Sequence, residues 1–87
     1  MTITVEFYGI PRERAGVATT VVDGRRLGEI LIDLAQRFPR LGESCFDSGR
    51  LRPAAIANVN GGRFVSDPST LLEPGDTLLI LTADAGG

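Results

Sequence analysis

Only one stretch of this chain has the period of a helix long enough to cover a sheet, and segments with the period of strands flank it on both sides. Leu27, Ile30, Leu31, Leu34 and Phe38 recur at i, i+3, i+4, i+7 and i+11. That spacing makes one apolar stripe of a helix over 26–38. Glu29, Asp33, Gln36 and Arg37 fall on the wet face, with Asp33 four residues before Arg37 in the favourable orientation. Pro39 stops the helix just beyond. At about 11–12 residues it spans roughly 17 Å, enough to lie across a sheet but not to build a bundle. One helix cannot cover both faces of a sheet. The expected architecture is therefore α+β: a mixed sheet of four to five strands with one main helix packed on one face.

The strands read as follows. In 2–8, Ile3, Val5 and Phe7 alternate with Thr4, Glu6 and Tyr8, the pattern of a half-buried strand. Gly9-Ile10-Pro11 closes it, and 12–16 reads as a polar connection to a second strand over 17–23. The stretch 39–54 has no sustained period and reads as a long loop tethered by Leu41, Phe46 and Leu51, with room for a short helical turn. A third strand covers 55–60, Asn60-Gly61-Gly62 turns the chain, and 63–65 returns briefly. Leu71 and Leu72 read as apolar anchors, and Glu73-Pro74-Gly75-Asp76 is a tight turn. The last strand, 77–82, is apolar on both sides, as a central strand is. The most apolar strands, the first and the last, are expected side by side at the centre. Residues 1–82 are expected to form a single domain, and 83–87 a flexible tail ending in Gly86-Gly87.

Composition removes chemistries. The 87 residues include no His, one Cys and no Lys, all nine basic residues being Arg. Imidazole catalysis, His-ligated metal, an internal disulfide, a Schiff base and a phosphate-binding lysine are excluded. A net charge of −2 with scattered Arg pairs gives no basic face for nucleic acid. No apolar run approaches the roughly 20 residues of a membrane helix. The opening MTITVEF lacks a signal segment, so a cytoplasmic protein with no nucleic-acid or membrane partner is expected. Cys45 has no His or Lys beside it, which favours an inert thiol over a redox-active or persulfide-accepting one. Glu43, Ser44 and Asp47 make no triad without a base. The doublet Arg25-Arg26 stands where a helix N-terminus disfavours positive charge, and the sequence supplies no reason for it.

The end of the chain is the sharpest feature. Gly86-Gly87 follow a small-residue spacer after the last strand. A frayed terminus is one reading. The other is a tether: about five extended residues reach roughly 17 Å, and glycines without Cβ enter a narrow channel. The α-carboxylate, with a pKa of about 3.3–3.7, is ionised at pH 7 and able to attack the α-phosphorus of a nucleotide. A docking face is expected beside it. If Ile3, Val5 and Phe7 face the helix, Tyr8 lies opposite; if Ile80 faces the helix, Leu79 and Leu81 lie on the open side, bordered by Phe64 or Arg63. The alternative is an ordinary sheet face covered by the long loop.

Taken in order, FYGIPRERAG, LGEILIDLAQRFP, ANVNGGRFV, LLEPGDTLLIL and the final GG resemble the MoaD/ThiS family of ubiquitin-like β-grasp sulfur carriers, over essentially the whole chain. The resemblance implies that Gly87 is adenylated and becomes a thiocarboxylate, with Gly86 and Ala85 in the reactive tail. The implied partners are a ubiquitin-activating-type adenylyltransferase (MoeB/ThiF-like), a sulfur donor, and a larger catalytic subunit (MoaE-like) that receives the tail. The chain is then a carrier rather than an enzyme and binds no cofactor or metal; ATP and Mg belong to the activating partner. Its length favours a MoaD-like or a cysteine-forming carrier over the usually shorter ThiS type, and the leading expectation is a MoaD-like small subunit of molybdopterin synthase, in molybdenum cofactor biosynthesis. Thr82-Ala83-Asp84-Ala85 stand where MoaD proteins usually carry a Pro-containing segment, which keeps thiamine and cysteine biosynthesis open as alternatives. A protein modifier joined through Gly87, and a plain interaction module, are readings from other classes. The absence of Lys fits a general Arg preference or protection against self-conjugation.

Overall fold

The computed structural model describes residues 2–83. The opening alternation forms β1 (Thr2–Phe7), with Ile3, Val5 and Phe7 buried. The segment expected as a polar connection is instead a short helix, α1 (Ile10–Ala15). Pro11 in its first turn suits a helix start, and Gly16 in the left-handed region closes it, its N–H donating to the Arg12 carbonyl at 2.9 Å. With one turn and a half and almost no apolar stripe, α1 carries little helical signal of its own; it forms where it packs against the end of the last strand and a later helix. The second strand, β2 (Thr19–Asp23), begins after the bend that α1 imposes.

The periodic stretch forms α2 (Leu27–Arg37), with Leu27, Ile30, Leu31 and Leu34 fully buried. Its start accounts for Arg25-Arg26. The Glu29 carboxylate accepts from the Arg26 and Arg25 backbone N–H groups at 3.0 and 3.5 Å, and the Arg26 guanidinium donates to the Ser69 carbonyl at 3.4 Å. A carboxylate in the first turn thus offsets the arginines. The expected Asp33–Arg37 pair forms at 3.5 Å, and Arg37 also donates to the Val21 carbonyl at 2.9 Å, covering the free edge of β2.

The long loop is more structured than its sequence suggests. It contains α3 (Pro39–Cys45) and a small hairpin of β3 (Phe46–Asp47) and β4 (Arg50–Leu51). Leu41, Cys45 and Phe46 are buried and Leu51 is partly buried, so the tethers are as expected. What the period search lacked was length: α3 offers only Leu41 and Cys45, four apart, as an inward pair. α3 crosses α2 so closely that a Cβ at Gly42 would lie 2.8 Å from the Ala35 Cβ. Only glycine fits there.

The remaining strands are β5 (Ala55–Val59), β6 (Arg63–Val65) and β7 (Thr77–Thr82). The five-stranded sheet runs β2-β1-β7-β5-β6. β1 and β7 lie side by side and parallel, β7 in the centre; the other pairs are antiparallel. Helices cover one face. Against them sit Ile3, Val5, Phe7, Val22, Ala57, Val59, Leu78 and Ile80. The Phe7 ring meets Phe38 edge-on at 5.8 Å. At the end where β7 begins, Asp76 ties two turns to the strand: its carboxylate accepts from Asn60 Nδ2 at 2.9 Å and from the Glu73 N–H at 2.8 Å, while Asn60 Oδ1 accepts from the Thr77 N–H at 2.9 Å. Those bonds depress the Asp76 pKa, the Glu73 backbone N–H most strongly and then Asn60.

Candidate functional site: the open face of the sheet and the root of the tail

Side chains alternate along a strand, so the register that buries Leu78 and Ile80 turns Leu79 and Leu81 to the opposite, helix-free face. The neighbouring strands complete that face in rows. Phe7 pairs with Ile80, so Tyr8 follows beside Leu81, its N–H donating to the Ile80 carbonyl at 3.0 Å; Ile56 lies across from Leu81 on the other side. Tyr8, Leu81 and Ile56 therefore form the row nearest the end of β7. The next row runs Glu6, Leu79, Asn58, Phe64. Tyr8 is 46% exposed and Phe64 75%, and Ile56, Leu79 and Leu81 are half-buried. This is a contiguous apolar surface on a sheet face that no helix covers.

Of the residues expected to dock a partner, Tyr8, Leu79, Leu81 and Phe64 come together. Arg63 does not share their face. It pairs with Val59, whose side chain points to the core, so alternation sends Arg63 to the helix side at the sheet edge, where its charge reaches Asp76. Two residues of the face, Ile56 and Asn58, escape the sequence reading. Alternation within 55–59 separates them from Ala55, Ala57 and Val59, but the sequence alone does not say which set faces the helix. Asn58 is 6% exposed, and its Oδ1 has no hydrogen-bond partner among the described residues. The Tyr8 hydroxyl donates to Glu6 Oε1 at 2.6 Å; that bond to a carboxylate, helped by desolvation and by the Glu6 charge, pushes the phenol pKa up.

The root of the tail is held firmly. The Ala83 N–H donates to the Ala54 carbonyl at 2.8 Å, extending the pairing of β7 with the start of β5. Ala85, Gly86 and Gly87 lie outside the described residues. Around this end the described residues contain no group of three or more Cys, Asp or Glu side chains placed to hold a metal. Cys45 is buried in α3, and burial raises its pKa against the charges of Arg14 and Arg52, so it is a core thiol rather than a nucleophile. Glu43, Ser44 and Asp47 are exposed and build no catalytic group. No helix among the described residues is long and apolar enough to cross a membrane. Among the described residues the arrangement presents an apolar surface beside the end of β7.

A five-stranded mixed sheet with its two central strands parallel and a helix across one face defines a ubiquitin-like β-grasp protein. The same fold spans SAMP1 from Haloferax volcanii, with a TM-score of 0.82, 23% identity and 100% of both chains covered. A chain of the BexX/CysO complex from Amycolatopsis orientalis matches with a TM-score of 0.81 and 27% identity, over 98% of this chain and 99% of that one. CysO from Mycobacterium tuberculosis matches with a TM-score of 0.78 and 26% identity, over 93% and 98%. The ThiS family model matches residues 5–87, and the chain belongs to that family of small ubiquitin-like carrier and modifier proteins, which are not themselves enzymes. No curated protein matches the sequence.

Proposed function

We propose that this chain is a sulfur carrier whose reactive group is the α-carboxyl of Gly87. The carboxylate attacks the α-phosphorus of ATP held by an activating adenylyltransferase, and pyrophosphate leaves. A sulfide equivalent then displaces AMP, leaving a thiocarboxylate. The carrier supplies delivery and positioning, and the partner supplies nucleotide and metal. The observation that carries the reading is the extent of the family match, which runs through Gly86 to Gly87 rather than stopping at the folded body. The lack of any His and of a reactive Cys is in keeping with chemistry performed elsewhere. Among acceptors, our leading reading is a MoaD-like role beside a MoaE-like subunit of molybdopterin synthase, with thiamine and cysteine biosynthesis as alternatives.

Expression beside the activating enzyme and a sulfur donor should raise the intact mass by about 16 Da, one oxygen of the α-carboxyl being replaced by sulfur. Deleting Gly87 should abolish the shift. An unchanged mass in the intact protein would sink the proposal. A second reading, conjugation to lysines of other proteins, is favoured by one observation: a chain with nine Arg and no Lys offers itself no side-chain amine as acceptor. It predicts isopeptide-linked adducts carrying Gly87 instead of the free thiocarboxylate.

A further inference from the structure

The open face contains one group that does not belong on a purely apolar surface. Asn58 lies between Leu79 and Phe64 in the register and one row in from Tyr8, Leu81 and Ile56. It is 94% buried by its neighbours, from an exposure of 6%, yet its Oδ1 has no partner among the described residues. A buried acceptor without a donor destabilises the free chain, and an apolar side chain of similar size would remove that cost. No hydrogen bond from the described residues holds the Oδ1, and the terminal torsion of an asparagine is soft, so the amide can turn its oxygen toward the surface.

We infer that Asn58 is the polar anchor of the docking face: the enzyme that processes Gly87 covers this face with an apolar surface carrying one N–H or O–H donor aimed at Asn58 Oδ1. The inference rests on the sulfur-carrier reading, which names that enzyme as the occupant. The length of the tail argues for it. Four residues, 84–87, follow Ala83, and fully extended they span at most about 13 Å. A catalytic pocket that takes Gly87 must therefore sit close against the end of β7. The Tyr8–Leu81–Ile56 row lies at that end, and Asn58 is two residues further along its strand, about 7 Å. It falls beneath the partner's footprint. A site built to satisfy a buried polar group rejects carriers that lack it more sharply than apolar contact can. Asn58 then sets which carrier the enzyme accepts.

The test uses the full chain with the purified activating adenylyltransferase of the same organism and MgATP, following pyrophosphate exchange. Asn58→Leu and Asn58→Ala are compared with the unaltered carrier, each shown to be folded at the assay temperature by circular dichroism; Asn58→Ala, which adds no bulk, keeps the test valid should the leucine variant not fold. Both should raise KM for the carrier by about tenfold or more with kcat unchanged, since the partner's donor is left unpaired while Gly87 is untouched. On a merely apolar face Asn58→Leu would leave KM unchanged or lower it, and either outcome overturns the inference while the carrier reading stands. An unaltered carrier that supports no exchange overturns the carrier reading and this inference with it.

Discussion

The two faces of β7 use nearly the same residues for different ends. Leu78 and Ile80 are fully buried on the helix-covered side, whereas Leu79 and Leu81, each one position away, stay half-buried on the open side. Chemistry does not distinguish them; parity does. On the closed face each methylene removed leaves a cavity in the core that these side chains share with Leu27, Ile30, Leu31 and Leu34, so that face holds the fold. On the open face the same side chains touch one another and solvent, so their apolar surface is free to be covered by something else. A single central strand thus divides a core-forming face from an open apolar one.

The strongest way to break this comparison is to truncate both faces equally. Ile80→Ala should cost about 2–5 kcal/mol of unfolding free energy, and Leu81→Ala about 1 kcal/mol or less, measured by urea denaturation. Equal losses would refute the division. A second test stays on the closed side: Gly42→Ala drives a Cβ into Ala35 across the α2–α3 contact and should cost about 1–3 kcal/mol without affecting adenylation of the remaining folded protein. The third is acid sensitivity. Asp76, Asp67 and Glu29 all have folded pKa values below their ordinary 3.8, 3.8 and 4.5, because backbone N–H groups donate to each carboxylate. The stability they contribute is therefore complete above those ordinary values and is lost as pH falls through the lower, folded ones. Replacing Asp76 by Asn should flatten the decline in urea midpoint between pH 5 and pH 2, about, and a decline as steep as in the unaltered protein would reject the role given to Asp76. The smallest effect on the fold is expected at the proposed docking face. Leu81→Arg should change stability by no more than about 0.5 kcal/mol yet weaken binding to the activating enzyme; unchanged affinity in calorimetry would remove the face from the site.

What could be read in advance follows how local each signal is. The α2 stripe, the alternation of β1 and the apolar run of β7 are complete within their own segments, because each satisfies its backbone pattern and its burial pattern together. The helices α1 and α3 are six and seven residues long, shorter than an isolated helix can sustain in water. They exist because Pro11, Leu41 and Cys45 find buried places under neighbouring elements. For the open face, Tyr8, Leu79 and Leu81 were legible from parity along their own strands. Arg63 and Asn58 were not, because their faces depend on which residue of β5 pairs with which of β6 and β7. A shift of one residue would exchange them.

The sequence by itself determined that one main helix lies on one mixed sheet, that its first and last strands are the apolar centre, and that the chain has no imidazole and no lysine amine. These follow from periodicity and composition, which neighbouring residues express together. Tertiary structure decided the rest: the parallel pairing of β1 with β7, the turning of 39–54 into a helix and hairpin, and the burial on the open face of an amide oxygen with no partner among the described residues. Those outcomes depend on contacts between residues far apart in the chain, whose free energy arises only once the strands are in register.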